Sequence, residues 1–137
     1  MTATPIALFR QQLFTLARTL KIDPQVSENQ VMDRVALSFR KLLNFLSQNE
    51  QATRQLFLLS AEDRSDQRIL SEIMQENLQA AQQSGVFRQD IALPLLAEFF
   101  IAMLLQMAQL PGDAASRHQQ SLAATRLFCE GAWLKPD

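Results

Sequence analysis

Apolar residues return every three or four positions along most of this chain, which is the spacing of one face of an α-helix. The first run extends from Ile6 to Leu20 and is stopped by Pro24, which cannot continue a helix. A second helix is predicted to begin after Ser27, because a serine followed three residues later by glutamine, here Gln30, forms a capping box. No segment alternates apolar and polar residues for long enough to be a convincing strand. The pattern therefore predicts an all-α protein.

Local signals place the ends of the later helices. The stretch SQNE at 47–50 repeats the spacing of a capping box, so a new helix or a sharp kink is expected there. Ser65 or Asp63 can cap the following helix, and Gly85 is well placed to end it in the left-handed conformation. The sequence thus predicts about six helices in a single domain over residues 1–137, packed as an antiparallel orthogonal bundle.

Residues 91–110, IALPLLAEFFIAMLLQMAQL, form the most apolar stretch of the chain. At about 100° per residue, Glu98, Gln106 and Gln109 fall on one narrow stripe, and apolar residues cover the rest of the circumference. The stretch is long enough to span a bilayer, but its proline and its polar side chains disfavour insertion, and no other helix is comparable. We therefore expect a buried helix at an interface, with no membrane involved.

The last helix, which follows the turn LPGD at 110–113, also carries apolar residues on two nearly opposite sides. A helix with two apolar faces has two partners, and one of them can be the core of its own domain. The other is most simply a second copy of the chain, since most soluble oligomers are symmetric dimers. The residues predicted to form this homodimer interface are Ala97, Ile101, Leu104, Ala108, Ala124, Leu127, Phe128 and Gly131.

Composition and charge narrow the class of protein. The 137 residues, 47% of them apolar, suffice for one globular domain with its own core. A net charge of −1 argues against a polyanion-binding surface over the whole molecule. The lone Cys129 cannot form an internal disulfide, and the N-terminus lacks the basic and apolar regions of a signal peptide. These features predict a cytoplasmic protein.

Side chains that could carry catalysis are sparse. His118 and Cys129 are separated by roughly 16 Å along one predicted helix, so they cannot form a dyad within one chain. Zinc-ligand spacing, a phosphate-binding loop and a nucleophile elbow are all missing, so neither a metal nor a cofactor is expected. No helix-turn-helix signature is visible, which predicts that the chain does not bind DNA by itself. The alternative that the protein is a small helical enzyme requires a carboxylate such as Glu98 to be buried in a cavity.

The chain is rich in flexible and aromatic apolar residues, with five Met, nine Phe and no Tyr. Such residues either fill the core or line a cavity for an apolar or amphipathic small molecule, and composition alone favours the first interpretation. The residues proposed for a ligand site are Phe39, Phe57, Met74, Phe99, Phe100, Met103 and Met107.

Three stretches of the chain carry a resemblance to a known family: NEQATRQLFLLS at 49–60, AAQQSGVFRQDIALPLLAEFFIAMLLQMA at 80–108 and AATRLFCEGAW at 123–133. Their order and local sequences resemble those of the C-terminal ligand-binding and dimerisation domain of the TetR (tetracycline-repressor) family of transcriptional regulators. The resemblance covers nearly the whole chain from about Ile6.

The resemblance implies that the last two helices of each of two copies pair as a dimeric four-helix bundle. It also implies a pocket for a hydrophobic effector among the earlier helices. In this family an N-terminal helix-turn-helix unit contacts DNA, and this chain is expected to lack that unit, either because it was excised or because it is naturally absent. The expected function is effector binding and homodimerisation in a TetR-like regulator. The alternative is a helical dimerisation or interaction module without a small-molecule ligand.

Overall fold

The computed structural model describes residues 5–23, 25, 28–58 and 64–131, and within these ranges the chain is largely helical and contains no β-strand. The all-α class predicted from the sequence is confirmed. The helices are α1 (Pro5–Arg18), α2 (Glu28–Gln48), α3 (Glu50–Thr53), a π-helical segment (Arg54–Leu58), α4 (Ser65–Gln83), α5 (Leu93–Ala108) and α6 (Ala114–Glu130).

α1 ends two residues earlier than the apolar pattern predicts. Its end forms a tighter turn, in which the backbone N–H of Thr19 donates to the carbonyl of Leu16, three residues earlier, at 3.0 Å. The N–H of Ile22 then donates to the backbone carbonyl of Asn77 at 3.1 Å, which joins the end of α1 to α4. Ser27, the predicted cap of α2, lies outside the described residues.

The junction predicted after Ser47 exists, but its capping box does not form it. Ser47 lies inside α2, and the residue before α3 is Asn49, whose side chain donates backwards to the carbonyl of Phe45 at 2.8 Å. The buried hydroxyl of Thr53 donates to the carbonyl of Leu46 at 2.9 Å. These two bonds to the end of α2 fix the direction in which α3 leaves it.

α4 begins and ends close to the predicted positions. Ser65 is its first helical residue rather than its cap, and Asp63 lies outside the described residues. Its end follows the prediction, because Gly85 adopts a φ of 86°, in the left-handed region that favours glycine. The N–H of Val86 donates back to the carbonyl of Ala81 at 2.9 Å, which closes the last turn.

α5 packs against α2, α4 and α6, and this explains why its sequence is apolar nearly all round. The stripe of Glu98, Gln106 and Gln109 is exposed, as its spacing predicted. The flank that was predicted to face a second copy lies instead in the chain's own core, with no exposed surface at Ala97, Ile101 and Leu104. Among the described residues, the structure holds no helix with the length and hydropathy needed to cross a membrane.

Asp113 caps the N-terminus of α6, and its carboxylate accepts a hydrogen bond from the backbone N–H of Ser116 at 3.0 Å. It packs chiefly on α2 through a buried strip of small side chains, Ser121, Ala124 and Thr125. The two hydroxyls of this strip each donate to a carbonyl one turn earlier in α6, so they are satisfied without a partner helix. Ala124, predicted for the dimer interface, therefore belongs to a contact within the chain.

Candidate functional site

The centre of the predicted ligand site is a packed aromatic core. The rings of Phe39 and Phe100 stack with centroids 4.1 Å apart, and Phe128 meets them edge-on at 6.2 and 5.6 Å. Met74 and Met107 belong to the same core and are 2% and 7% exposed. Four of the residues proposed for a ligand site therefore fill space in this structure, and Phe128, proposed for the dimer interface, faces the chain's own interior.

The other three residues proposed for a ligand site are more accessible. Phe99 on α5 is 49% exposed, whereas Met103 on α5 and Phe57 in the π-helical segment are half-buried. None of the seven residues lines the cleft that the structure forms at one end of the bundle.

That cleft has a volume of about 570 Å³ and lies where the ends of α2 and α5 meet α3, the π-helical segment and the turn before α6. Part of its lining is apolar, with Leu46 fully buried and Leu58 and Ala108 half-buried, and the rest is polar or charged. Leu110 and Pro111 from the turn continue the apolar part toward solvent. A volume of this size falls in the range of pockets that hold drug-sized ligands.

The π-helical segment forms one side of the cleft. Single π-turns are rare in helices and are frequent at functional sites. Arg54 and Leu58, the first and last residues of this segment, are about one π-turn apart and both line the cleft. The hydrogen bond from Thr53 to Leu46 holds the start of the segment against α2.

The charged side chains that line the cleft are Glu50, Arg54 and Arg117, with a net charge of +1. Arg117 is half-buried, and its Nε donates to Oδ1 of Asn44 while its Nη1 donates to the carbonyl of Gly112. Both bonds are 3.4 Å long, beyond the usual range for N–H···O contacts. In the part of the chain that the structure describes, no carboxylate lies within ion-pair distance of either arginine.

Asp113 is the acidic residue next to Arg117 on the first turn of α6. Its pKa is lowered below its ordinary value, mainly because the carboxylate accepts the backbone hydrogen bond from Ser116. The attraction of Arg117 is the smallest of the causes. Asp113 therefore caps α6, and the guanidinium of Arg117 keeps most of its donors for another group.

Sequence reasoning selected none of the charged residues of this cleft. Arg54, Glu50 and Arg117 are ordinary polar residues on helix surfaces, and nothing in their local spacing signals a site. The fold brings them together from two regions, 46–58 and 108–117, that are far apart in the chain.

Residues with catalytic potential lie apart from one another. Glu98 and His118 are exposed, on α5 and α6 respectively. Burial raises the pKa of the Cys129 thiol to about 11, with a further contribution from Glu130, so the thiol is protonated at neutral pH. Over residues 5–23, 25, 28–58 and 64–131, His, Cys, Asp and Glu side chains form no group of three that could hold a metal ion.

Exposed apolar side chains are concentrated on the last two helices. Five of the nine large apolar side chains that are exposed in the described residues lie on α5, α6 or the turn between them. We call them the α5/α6 surface: Leu95, Phe99, Leu110, Leu122 and Leu127. Leu127 and Gly131 are the residues predicted for the dimer interface that are exposed, and Ala108 is half-buried.

Comparison with known proteins gives a distant similarity. No protein-family model and no solved structure matches the chain significantly. The chain is 24% identical over 101 residues to the uncharacterized HTH-type transcriptional regulator YdgC of Bacillus subtilis. The alignment covers 74% of this chain and 52% of that protein, so the chain spans about half the length of the curated relative it matches.

Proposed function

We propose that this chain is the effector-binding and homodimerisation domain of a TetR-like transcriptional regulator, which acts in the cytoplasm and catalyses no reaction. Three observations support the proposal: the similarity to an HTH-type regulator, the order of the helices and the apolar α5/α6 surface. Contact with DNA is assigned to a helix-turn-helix unit outside these 137 residues, in a longer protein or in a partner.

The observation that carries the proposal is the exposure of the α5/α6 surface in a single chain. Leu95 and Leu127 are 47% exposed and Phe99 is 49% exposed. Each such side chain contributes about 1 kcal/mol when its remaining apolar area is removed from water. Large apolar side chains that remain exposed on two neighbouring helices are a feature of protein interfaces.

The occupant of this surface is a second copy of the same chain. Neutral residues dominate the exposed positions of α5, and Arg126 and Glu130 on α6 already pair with each other at 3.6 Å. Two copies of the surface therefore meet without strong repulsion between like charges. A two-fold arrangement uses the same surface on both copies, which favours a closed dimer.

The cleft is the proposed site of the effector. It is built partly from the end of α5 and the start of α6, the same two helices that carry the α5/α6 surface. A ligand that contacts these helices at one end of the bundle can shift their packing against a second copy. Coupling between effector and dimer geometry follows if the two arrangements bind the ligand with different affinity.

The dimer is tested by Leu127→Glu, because a glutamate buried at an interface brings an uncompensated charge there from each copy. Its matched control is Leu8→Glu, since Leu8 on α1 is also a leucine that is 47% exposed. We expect light scattering after size exclusion to give twice the 15.5 kDa chain mass for the wild type and Leu8→Glu. Leu127→Glu should elute as a monomer with an unchanged helical circular dichroism spectrum. A folded Leu127→Glu protein that remains dimeric would refute the interface.

One observation favours a second candidate, an interaction module without a small-molecule ligand. Phe39 and Phe100, which were proposed to line a pocket, stack on each other and leave no space between their rings. Such a module would pair with a regulator that carries its own DNA-binding unit. Co-expression with a tagged full-length relative distinguishes the two, because the module predicts a heterodimer and the effector-binding domain predicts a homodimer.

A further inference from the structure

We propose that the cleft binds a small monocarboxylate with a short apolar body, held by Arg117. The inference rests on the proposed function, since it names the chemical class of the effector. It follows from the shape of the cleft, the state of its arginines and its charge balance.

The apolar part of the cleft lining determines which kind of ligand body the cleft can hold. Leu46 is 1% exposed at the inner end, and Ala108 and Leu58 flank it. A hydrocarbon chain or ring placed there covers the apolar surface that Leu58 and Ala108 still expose. The volume of about 570 Å³ admits a body of several carbon atoms.

Arg117 determines the chemical class of the ligand's head group. A guanidinium has five N–H donors, and the two that are used here make hydrogen bonds of 3.4 Å to neutral oxygens of Asn44 and Gly112. Those contacts orient the side chain along the wall of the cleft, but they are too long to satisfy the hydrogen-bonding capacity of the guanidinium. The remaining donors form a planar fork that matches the two oxygens of a carboxylate. Because the residue is half-buried, its charge is screened less than that of a fully exposed arginine.

The balance of charge in the cleft selects a monoanion. Arg54 and Arg117 contribute two positive charges and Glu50 one negative charge. No ion pair joins Glu50 to either arginine in the described residues, so its carboxylate stays available to repel a second negative charge. A single carboxylate leaves the cleft neutral, whereas a phosphate dianion would leave it negative and would face Glu50. The cleft is therefore better matched to a carboxylate than to a phosphate.

The test compares three probes that each contain eight carbon atoms in an unbranched chain and differ in the head group: octanoate, 1-octanol and octylamine. Isothermal titration calorimetry of the full chain measures the affinity for each. The variants are Arg117→Gln and Arg54→Gln, with Arg126→Gln as the matched control on the outer face of α6. Arg126 pairs with Glu130 and does not line the cleft.

We expect octanoate to bind at least roughly tenfold more tightly than octanol or octylamine, because only the carboxylate brings a negative charge and two oxygens that match the donors of Arg117. Arg117→Gln should weaken octanoate binding roughly tenfold and abolish its advantage over octanol. Arg54→Gln should weaken it by less, because this residue is exposed. Arg126→Gln should bind octanoate as the wild type does.

Three results would overturn the inference: no binding of octanoate, equal binding of octanoate and octanol, or unchanged octanoate affinity in Arg117→Gln. Equal binding of octanoate and octanol would leave the proposed regulator with a purely apolar effector. The mass of the wild-type protein, measured by light scattering on the same samples, reports on the proposed function separately. A monomer that binds octanoate selectively would support the site while it rejects the dimer.

Discussion

Phe39 of α2 and Phe100 of α5 lie face to face, with ring centroids 4.1 Å apart and ring planes inclined by 16°. Phe128 of α6 closes the edge of this pair at interplanar angles of 84° and 82°. Three helices thus meet on one aromatic cluster. Aromatic pairs in these geometries contribute beyond the area that they bury, so the cluster fixes how α5 and α6 sit on α2.

Removal of one ring from this cluster tests its contribution to stability. Phe39 has 0% exposure, and Phe39→Ala should lower the free energy of unfolding by about 3–5 kcal/mol, because it leaves a cavity between packed helices. Leu37→Ala is the control on the same helix, at a side chain that is 38% exposed, and should cost about 1 kcal/mol or less. Urea unfolding followed by circular dichroism measures both. Equal losses in the two variants would contradict the assigned role of the cluster.

A buried amide ties the end of α1 to α4. The Nδ2 of Asn77, which is 4% exposed, donates to the carbonyl of Ala17 at 2.8 Å. The backbone N–H of Leu20 donates to the same carbonyl at 3.1 Å, so Asn77→Ala removes one of its two donors and should destabilise the protein by about 0.5–1.5 kcal/mol. The exposed Gln79 on the same helix provides the control, since Gln79→Ala should leave stability nearly unchanged. An Asn77→Ala protein as stable as Gln79→Ala would show that the bond contributes nothing.

The cap of α6 makes a stability contribution that depends on pH. The pKa of Asp113 is lowered from 3.8 because its carboxylate accepts hydrogen bonds from Ser116. A group whose pKa is lower in the folded state stabilises the protein above its unfolded pKa and loses that contribution as the pH falls through the folded pKa. Asp113→Ala should therefore lower the thermal midpoint at pH 7.

The gap in thermal midpoint between the wild type and Asp113→Ala should narrow as the pH falls below the ordinary 3.8 of an aspartate. Asp113→Asn is the control, because asparagine caps a helix about as well but does not titrate in this range. The gap between Asp113→Asn and Asp113→Ala should stay constant over the same pH range. A gap between wild type and Asp113→Ala that is independent of pH would exclude the titration of this cap.

The thiol of Cys129 should be slow to react in the folded protein. Burial raises its pKa to about 11, so at pH 8 the reactive thiolate is a far smaller fraction than for an ordinary cysteine. We expect alkylation by iodoacetamide to proceed at least roughly tenfold more slowly in the native protein than in 6 M guanidinium chloride, where the pKa returns toward its ordinary value. Mass spectrometry over time gives both rates. Equal rates would mean that the thiol is accessible and ionised normally.

The sequence identifies features whose cause is local. Gly85 ends α4 where predicted, because a left-handed residue at that position depends on a few neighbouring bonds. The exposed stripe of α5 follows from the angle between successive residues alone. The capping box at Ser47 failed although its spacing was correct, because the backward bond of Asn49 to Phe45 serves the junction instead.

The partner of a buried helix face is not encoded in its periodicity. The apolar flank of α5 at Ala97, Ile101 and Leu104 was correctly recognised as buried, but the same pattern fits the chain's own core and a second copy equally well. The cleft was missed for a related reason. Arg54 and Arg117 become neighbours of one cavity only through the packing of α2, α5 and α6, and no short-range signal reports that packing.

The pairing of two chains through the α5/α6 surface is the central claim, and native mass spectrometry of the freshly purified protein tests it most directly. We predict a species of twice the 15.5 kDa chain mass, with additional mass that leaves on activation if a carboxylate effector is carried through purification. Leu127→Glu should give the single-chain mass under the same conditions, and Leu8→Glu should not. A wild-type spectrum that contains only the 15.5 kDa monomer would contradict the claim.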